Sequence, residues 1–154
     1  MQEVYELCHS RVVEELSDEK VHDTKLLGFF SSEEKCAKAI AYYITQPGFQ
    51  QYPDDFEICT VEADVDEYNS IPGSFSSKVY YLSHEWYDGE YDYVTDIGYY
   101  STQEKAEAAK CALQNDPEFI DHPDGFCVDE YTVDEMEWKE GFCSSADMEE
   151  AKFI

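Results

Sequence analysis

One stretch occurs twice in the chain: Gly28-Phe29-Phe30-Ser31-Ser32-Glu33-Glu34-Lys35, and later Gly98-Tyr99-Tyr100-Ser101-Thr102-Gln103-Glu104-Lys105. Around these junctions the two halves keep a constant offset of 70. Gly28, Ser31, Glu34, Lys35, Ala39, Pro47, Phe49, Pro53, Asp54, Phe56, Asp64 and Glu67 recur as Gly98, Ser101, Glu104, Lys105, Ala109, Pro117, Phe119, Pro123, Asp124, Phe126, Asp134 and Glu137. Upstream, Val4, Tyr5, Leu7 and His9 match Val79, Tyr80, Leu82 and His84, with a hairpin five residues shorter in the second copy. Chance does not hold such a register across a whole unit, so the chain must fold as two copies of one pattern.

Each junction reads as the end of a strand running into a helix. Ser31 and Ser101 stand three residues before Glu34 and Glu104, the spacing of a capping box in which serine and glutamate satisfy each other's amides. Residues 3–10 and 21–30 read as strands, with the polar stretch 14–20 as the hairpin loop between them. From Ser31 to about Gln46 the apolar residues Cys36, Ala39, Ile40, Tyr43 and Ile44 form one helical stripe, and Pro47 stops it. A third strand covers 56–63. The second copy repeats this with a strand from Val79, a tight type I′ turn at Asp88-Gly89, and a helix from Ser101 to about Asn115 bearing Ala106, Ala109 and Leu113. Its last strand lies near 126–133. Trp138 is expected to fold back onto the body, as Tyr68 does in the first half.

The expected class is therefore α+β: two tandem strand–strand–helix–strand repeats related by a pseudo-twofold. They share one continuous, mostly antiparallel sheet with both helices on one face, because a three-stranded unit alone is marginal. Two separately folded lobes are the alternative. Repeat 1 spans 1–68, the Pro/Gly/Ser-containing stretch 69–77 is a linker, repeat 2 spans 78–142 and 143–154 is a tail, all in one compact domain. The pattern G-[FY]-[FY]-S-x-[EQ]-E-K, followed by a helix and a P-x-F-x-x-[YH]-P-[DE]-x-F loop, resembles a family of small bacterial domains of unknown function. The resemblance covers both halves and implies a fold but no activity.

Asp and Glu number 36 against 10 Lys and Arg, a formal charge of -26. Such a surface repels phosphate backbones and anionic lipid, so no direct nucleic-acid or membrane partner is expected. It attracts basic proteins and cations, although acidity also serves solubility alone. Residues 1–5 show neither a basic nor an apolar region of an export signal, and no run suits a spanning helix. The six cysteines (Cys8, Cys36, Cys59, Cys111, Cys127 and Cys143) lie far apart. They read as reduced, mostly buried thiols of a cytoplasmic protein, none activated as a nucleophile.

No catalytic motif or cofactor fingerprint stands out, and no cofactor or metal is expected. His9 and His84 hold equivalent positions and form the candidate ligand site, against the plainer reading of edge-of-strand imidazoles. His22 and His122 are weaker candidates. The clusters Asp64-x-Asp66-Glu67 and Asp134-Glu135-x-Glu137 lack the EF-hand order and read as solvated faces. The second hairpin is more informative. Tyr81, Glu85, Trp86, Tyr87, Asp88, Glu90, Tyr91, Asp92 and Tyr93 interleave aromatic rings with carboxylates, and strand alternation puts Tyr91, Tyr93, Ile97 and Tyr99 on one face. These residues suit a protein-contact surface, unless the rings fill the core beside the alanines of the second helix. The leading expectation is a non-enzymatic binding protein that docks a basic partner, as an immunity-type inhibitor or a nucleic-acid mimic would. The alternative is a small-molecule or metal-binding domain, or an enzyme, with a site between the repeats. A homodimer through exposed sheet edges is a third.

Overall fold

The computed structural model describes residues 1–16 and 19–142; Cys143 and the tail beyond it lie outside them. The first repeat forms β1 (Glu3–Leu16), β2 (Glu19–Phe30), α1 (Glu33–Tyr43), a 3-10 turn at Phe49–Gln51 and β3 (Phe56–Glu62). The second forms β4 (Lys78–Tyr87), β5 (Asp92–Tyr100), α2 (Gln103–Leu113) and β6 (Phe126–Thr132). The class is α+β, as the repeat implies. The strands make two three-stranded sheets, ordered β2-β1-β3 and β5-β4-β6, in place of the one continuous sheet expected.

β1 and β2 extend into the polar stretch read as a loop, with Glu14 opposite Val21 and Leu16 opposite Glu19. Antiparallel pairing needs no apolar face to continue a ladder already started. Both hairpins carry the same β-bulge. Leu7 pairs with Gly28 but Cys8 with Leu26, and Leu82 pairs with Gly98 but Ser83 with Asp96. The extra residues, Leu27 and Ile97, reverse the alternation of β2 and β5. That corrects the face expected for the second hairpin: Tyr93 pairs with Trp86, whereas Tyr99 pairs with Tyr81.

The helices start one residue later than the capping-box reading. Ser32 and Thr102 are the caps, accepting from the Lys35 and Lys105 amides at 3.2 and 3.1 Å. Cys36, Ala39 and Tyr43 pack with Leu7, Leu27, Phe30 and Phe49. Ile44 falls past the end of α1 and is exposed. In the second repeat Ala106 and Leu113 pack with Leu82, Tyr100 and Phe119.

Two compact units emerge, and neither is a contiguous repeat. Unit I comprises Tyr5–Cys59 with the segment from Asp134 onward; unit II comprises Met1–Val4 with Thr60–Val133. The segment after each third strand thus belongs to the unit of the other repeat's helix. In unit II the Asp64 amide donates to the Tyr99 carbonyl (2.8 Å), and its carboxylate accepts from the Ser101 amide (2.8 Å), the Ser101 hydroxyl (2.8 Å) and the Lys105 ammonium (3.1 Å). Unit I repeats the arrangement. The Asp134 amide donates to Phe29 (2.7 Å), and its carboxylate accepts from the Ser31 amide (2.8 Å), the Ser31 hydroxyl (2.9 Å) and Lys35 (2.9 Å). Both aspartates adopt positive φ, 64° and 67°, a conformation that Asp tolerates better than most residues.

The aspartates therefore do what the capping-box glutamates were expected to do: they accept from the Ser31 and Ser101 amides, and they also bring a negative charge to the helix start. The later parts of these straps follow the same exchange. Tyr68 donates to Asp116 (2.9 Å), and the Trp138 ring lies 5.4 Å from the Lys25 ammonium. Each ring lies against the other repeat. Gly28 leaves room for the strap, since a Cβ there would meet the Glu135 carbonyl at 2.7 Å. The stretch 69–77 is bonded into unit II: Phe75 is buried and donates its amide to Met1 (2.5 Å), and Gly73 donates to Ala63 (2.8 Å).

Burial alone would push the Asp64 and Asp134 carboxyls up, but the serine donors and the lysines outweigh it and hold both below the ordinary value. Folded-state values below the unfolded one mean that the contribution is complete above about pH 4 and is lost as pH falls through the folded values. Asp134→Ala and Asp64→Ala are each expected to cost about 2–3 kcal/mol in urea unfolding at neutral pH. The deficit relative to wild type should shrink on acidification below about pH 4. Equal deficits at neutral and strongly acid pH would contradict this account.

Candidate functional site

β4 and β5 carry the candidate contact surface, and the bulge at Ile97 sets which rings are available. Tyr80 and Tyr100 turn toward α2 and join its core. Tyr81 packs against Tyr99 at a tilt, ring centroids 5.2 Å apart, and donates to the Asp96 carboxylate. Beyond them Trp86 is held between two rings, Tyr93 at 4.4 Å and His122 at 4.0 Å, both nearly parallel to it. Tyr87, Tyr91 and Val94 are about 60% exposed. Glu85, Asp88, Glu90 and Asp92 are exposed beside them.

The turn is wider than a two-residue I′ turn. Tyr87 pairs with Asp92, leaving residues 88–91 as the loop, and only Gly89 has positive φ there. Asp88 builds it: its carboxylate accepts from the Tyr91 amide (2.7 Å), the Glu90 amide (2.8 Å) and the Tyr93 hydroxyl (2.9 Å). The Tyr91 and Glu90 amides hold the Asp88 carboxyl below its ordinary value, while the bond to Asp88 pushes Tyr93 up.

In unit I the same three positions hold different chemistry. Arg11, Asp23 and Tyr52 stand where unit II has Trp86, Tyr93 and His122. Arg11 pairs with Asp23 (3.3 Å) and lies over Tyr52 (4.8 Å), and Lys25 completes the cluster at 2.5 Å from Asp23. An ionic cation–π cluster in one unit is thus an aromatic stack in the other.

His9 and His84 are buried, each in the aromatic pocket of its own unit. His9 lies 4.9 Å from both Phe49 and Phe56, and its Nε2 is 2.9 Å from the Tyr52 carbonyl. His84 lies 4.7 Å from both Phe119 and Phe126, with Nε2 2.8 Å from the His122 carbonyl. A carbonyl only accepts, so Nε2 donates in both. Each imidazole ties its strand to the loop before the third strand. Among the described residues the buried Nδ1 of His9 has no hydrogen-bond partner. The His22 side chain lies outside what is described. Among the described residues, no group of three or more His, Cys, Asp or Glu side chains converges as metal ligands.

The thiols differ from expectation in burial. Cys36 is buried and Cys8 half-buried, but Cys59, Cys111 and Cys127 are exposed. All five are free. Burial pushes Cys36 up to about 11, and burial together with nearby carboxylates raises Cys8 and Cys127. Raised thiols are poor nucleophiles at neutral pH. The acidic clusters also differ from expectation: Asp64 is buried in its node, and Asp66 accepts from the Tyr100 hydroxyl at 2.5 Å. The joint recurrence of Ser31, Lys35 and Asp64 as Ser101, Lys105 and Asp134 is the sequence signal for these nodes, in which each aspartate joins the other repeat's serine and lysine.

Among the described residues, no helix is long and apolar enough to cross a membrane. No protein-family model, curated protein or solved structure matches the chain.

Asp88→Asn keeps the size of the turn residue but removes the charge. The Tyr93 titration is expected to move back toward about 10, read by ultraviolet titration against a Tyr93→Phe reference. An unchanged Tyr93 would mean that Asp88 does not bond it in solution.

Proposed function

We propose that the chain is an acidic, non-enzymatic binding protein that docks a basic partner protein through the end of the β4–β5 hairpin. The observation that carries this reading is the exposure of Tyr87, Tyr91 and Val94 among Glu85, Asp88, Glu90 and Asp92. No Lys or Arg occurs between Lys78 and Lys105. Four cations elsewhere are engaged within their own units: Arg11 and Lys25 with Asp23, Lys35 with Asp134, Lys105 with Asp64. Tyrosine supplies contact area at low entropy cost with a hydrogen-bonding tip, and the uncompensated field speeds encounter with a positive surface. The Trp86 stack and the Asp88 turn hold the hairpin end in one shape, which lowers the cost of ordering it on binding. Inhibition of a basic toxin, or mimicry of a nucleic acid, fits the charge. A cytoplasmic setting agrees with the free thiols.

The test is capture of a basic protein from the native host by the full chain at about 50 and about 500 mM salt, a span over which screening is strong. Tyr87→Ser with Tyr91→Ser is expected to abolish capture without unfolding the protein. Neutralising Glu57 and Glu62 on β3 is expected to weaken it only slightly. Equal loss from both pairs would reduce the interaction to net charge, and loss from neither would exclude the hairpin.

A further inference from the structure

The two units also differ where the strap, the segment after the third strand, passes the second hairpin strand. In unit I the strap bonds β2 twice, Asp134 to Phe29 and Glu137 to Leu27, the second at 2.8 Å. Tyr43, the last residue of α1, reaches into the space between them. Its hydroxyl donates to the Glu137 carbonyl and lies 3.3 Å from the Leu27 carbonyl. The Lys25 ammonium stands at the same end of β2, 4.0 Å from the Phe142 ring and 5.4 Å from Trp138. Unit I thus fills this space with a phenol and an ammonium group of its own.

Unit II has neither. Leu113 stands in place of Tyr43, and Thr95 in place of Lys25. The space between strap and strand is a cavity of about 180 Å³. Its apolar wall is Ile97, Leu113 and Phe119, and the Tyr68 ring borders it. Glu67 and Ile97, the counterparts of the two residues whose carbonyls meet the Tyr43 hydroxyl, both line it. Asp66, Asp96 and Glu118 add carboxylates where unit I has Met136, Leu26 and Gly48. The size is that of one aromatic ring; an apolar cavity of about 150 Å³ takes up benzene.

We propose that this cavity binds a small hydroxylated aromatic amine, whose ring and hydroxyl take the place of the Tyr43 side chain and whose ammonium takes the place of Lys25. The ring packs on Leu113, Ile97 and Phe119. The hydroxyl donates toward the Ile97 and Glu67 carbonyls as Tyr43 does to theirs. The ammonium is held by the surrounding carboxylates, which reject an anionic analogue. This site is separate from the hairpin surface above, and each stands without the other.

Tyramine is the probe, added to the full chain and followed by the methyl resonances of Leu113 and Ile97. Saturable shifts below about 10 mM are expected, with 4-hydroxyphenylacetate and phenethylamine each weaker by about tenfold or more, the loss of one good polar interaction. Leu113→Tyr, which copies unit I, is expected to abolish tyramine binding and raise the melting temperature. Thr95→Lys is expected to weaken tyramine about tenfold and leave uncharged p-cresol unaffected; it decides the matter if Leu113→Tyr does not fold. Absence of saturable shifts in the wild type would overturn the proposal. So would equal binding of the anion, or undiminished tyramine binding in a folded Leu113→Tyr or in Thr95→Lys.

Discussion

A carboxylate facing a serine amide, a serine hydroxyl and a lysine ammonium stands at the start of each helix, and most of the local architecture depends on it. The aspartate amide bonds the last turn of the hairpin strand, so one residue joins strap, strand and helix. The acid of each node comes from the opposite repeat, 37 residues before Ser101 and 103 residues after Ser31. Such a residue does the work of a capping box with partners distant in sequence. It also fixes the path of the strap, because its positive φ turns the chain as it leaves the third strand.

Around this shared frame the two units have diverged by paired replacements. Tyr100 bonds Asp66 in unit II, whereas the same positions in unit I are Phe30 and Met136, both packed in the core. Either pair satisfies its site, but a phenol facing a methionine would bury a polar group without a partner. The same logic connects Arg11, Asp23 and Tyr52 with Trp86, Tyr93 and His122: opposite charges over a ring in one unit, three stacked rings in the other. Positions that touch across the strap have changed together, which is what contact demands. Where unit II has the smaller Leu113 in place of Tyr43, the space is open.

Much of the order of elements was legible in the sequence, because helix stripes, proline stops and alternation are local signals. The six strands and two α-helices of the described residues follow from Cys36, Ala39 and Tyr43, from Pro47, and from the offset itself. What failed to show was non-local. Period-two counting cannot see a bulge, so the face of Tyr93 relative to Tyr99 came out reversed. Ser31 carries the right spacing for a cap but is bonded to Asp134, and nothing within ten residues of it reveals that. The histidines have the composition of a ligand pair and the burial of core residues, a distinction made by Phe49, Phe56, Phe119 and Phe126 folding over them.

The strap from the second repeat has a consequence for the order in which the molecule can be built. Ser31 and Ser32 leave the ribosome long before Asp134, and at about 5–20 residues per second the interval is on the order of 5–20 s. Through that time α1 is an eleven-residue segment with its serine cap but no distant anion, and isolated helices of that length are marginal in water. Unit II has both of its node residues in hand much earlier, since Asp64 is made before Ser101. The half of the molecule made first is therefore the half completed last.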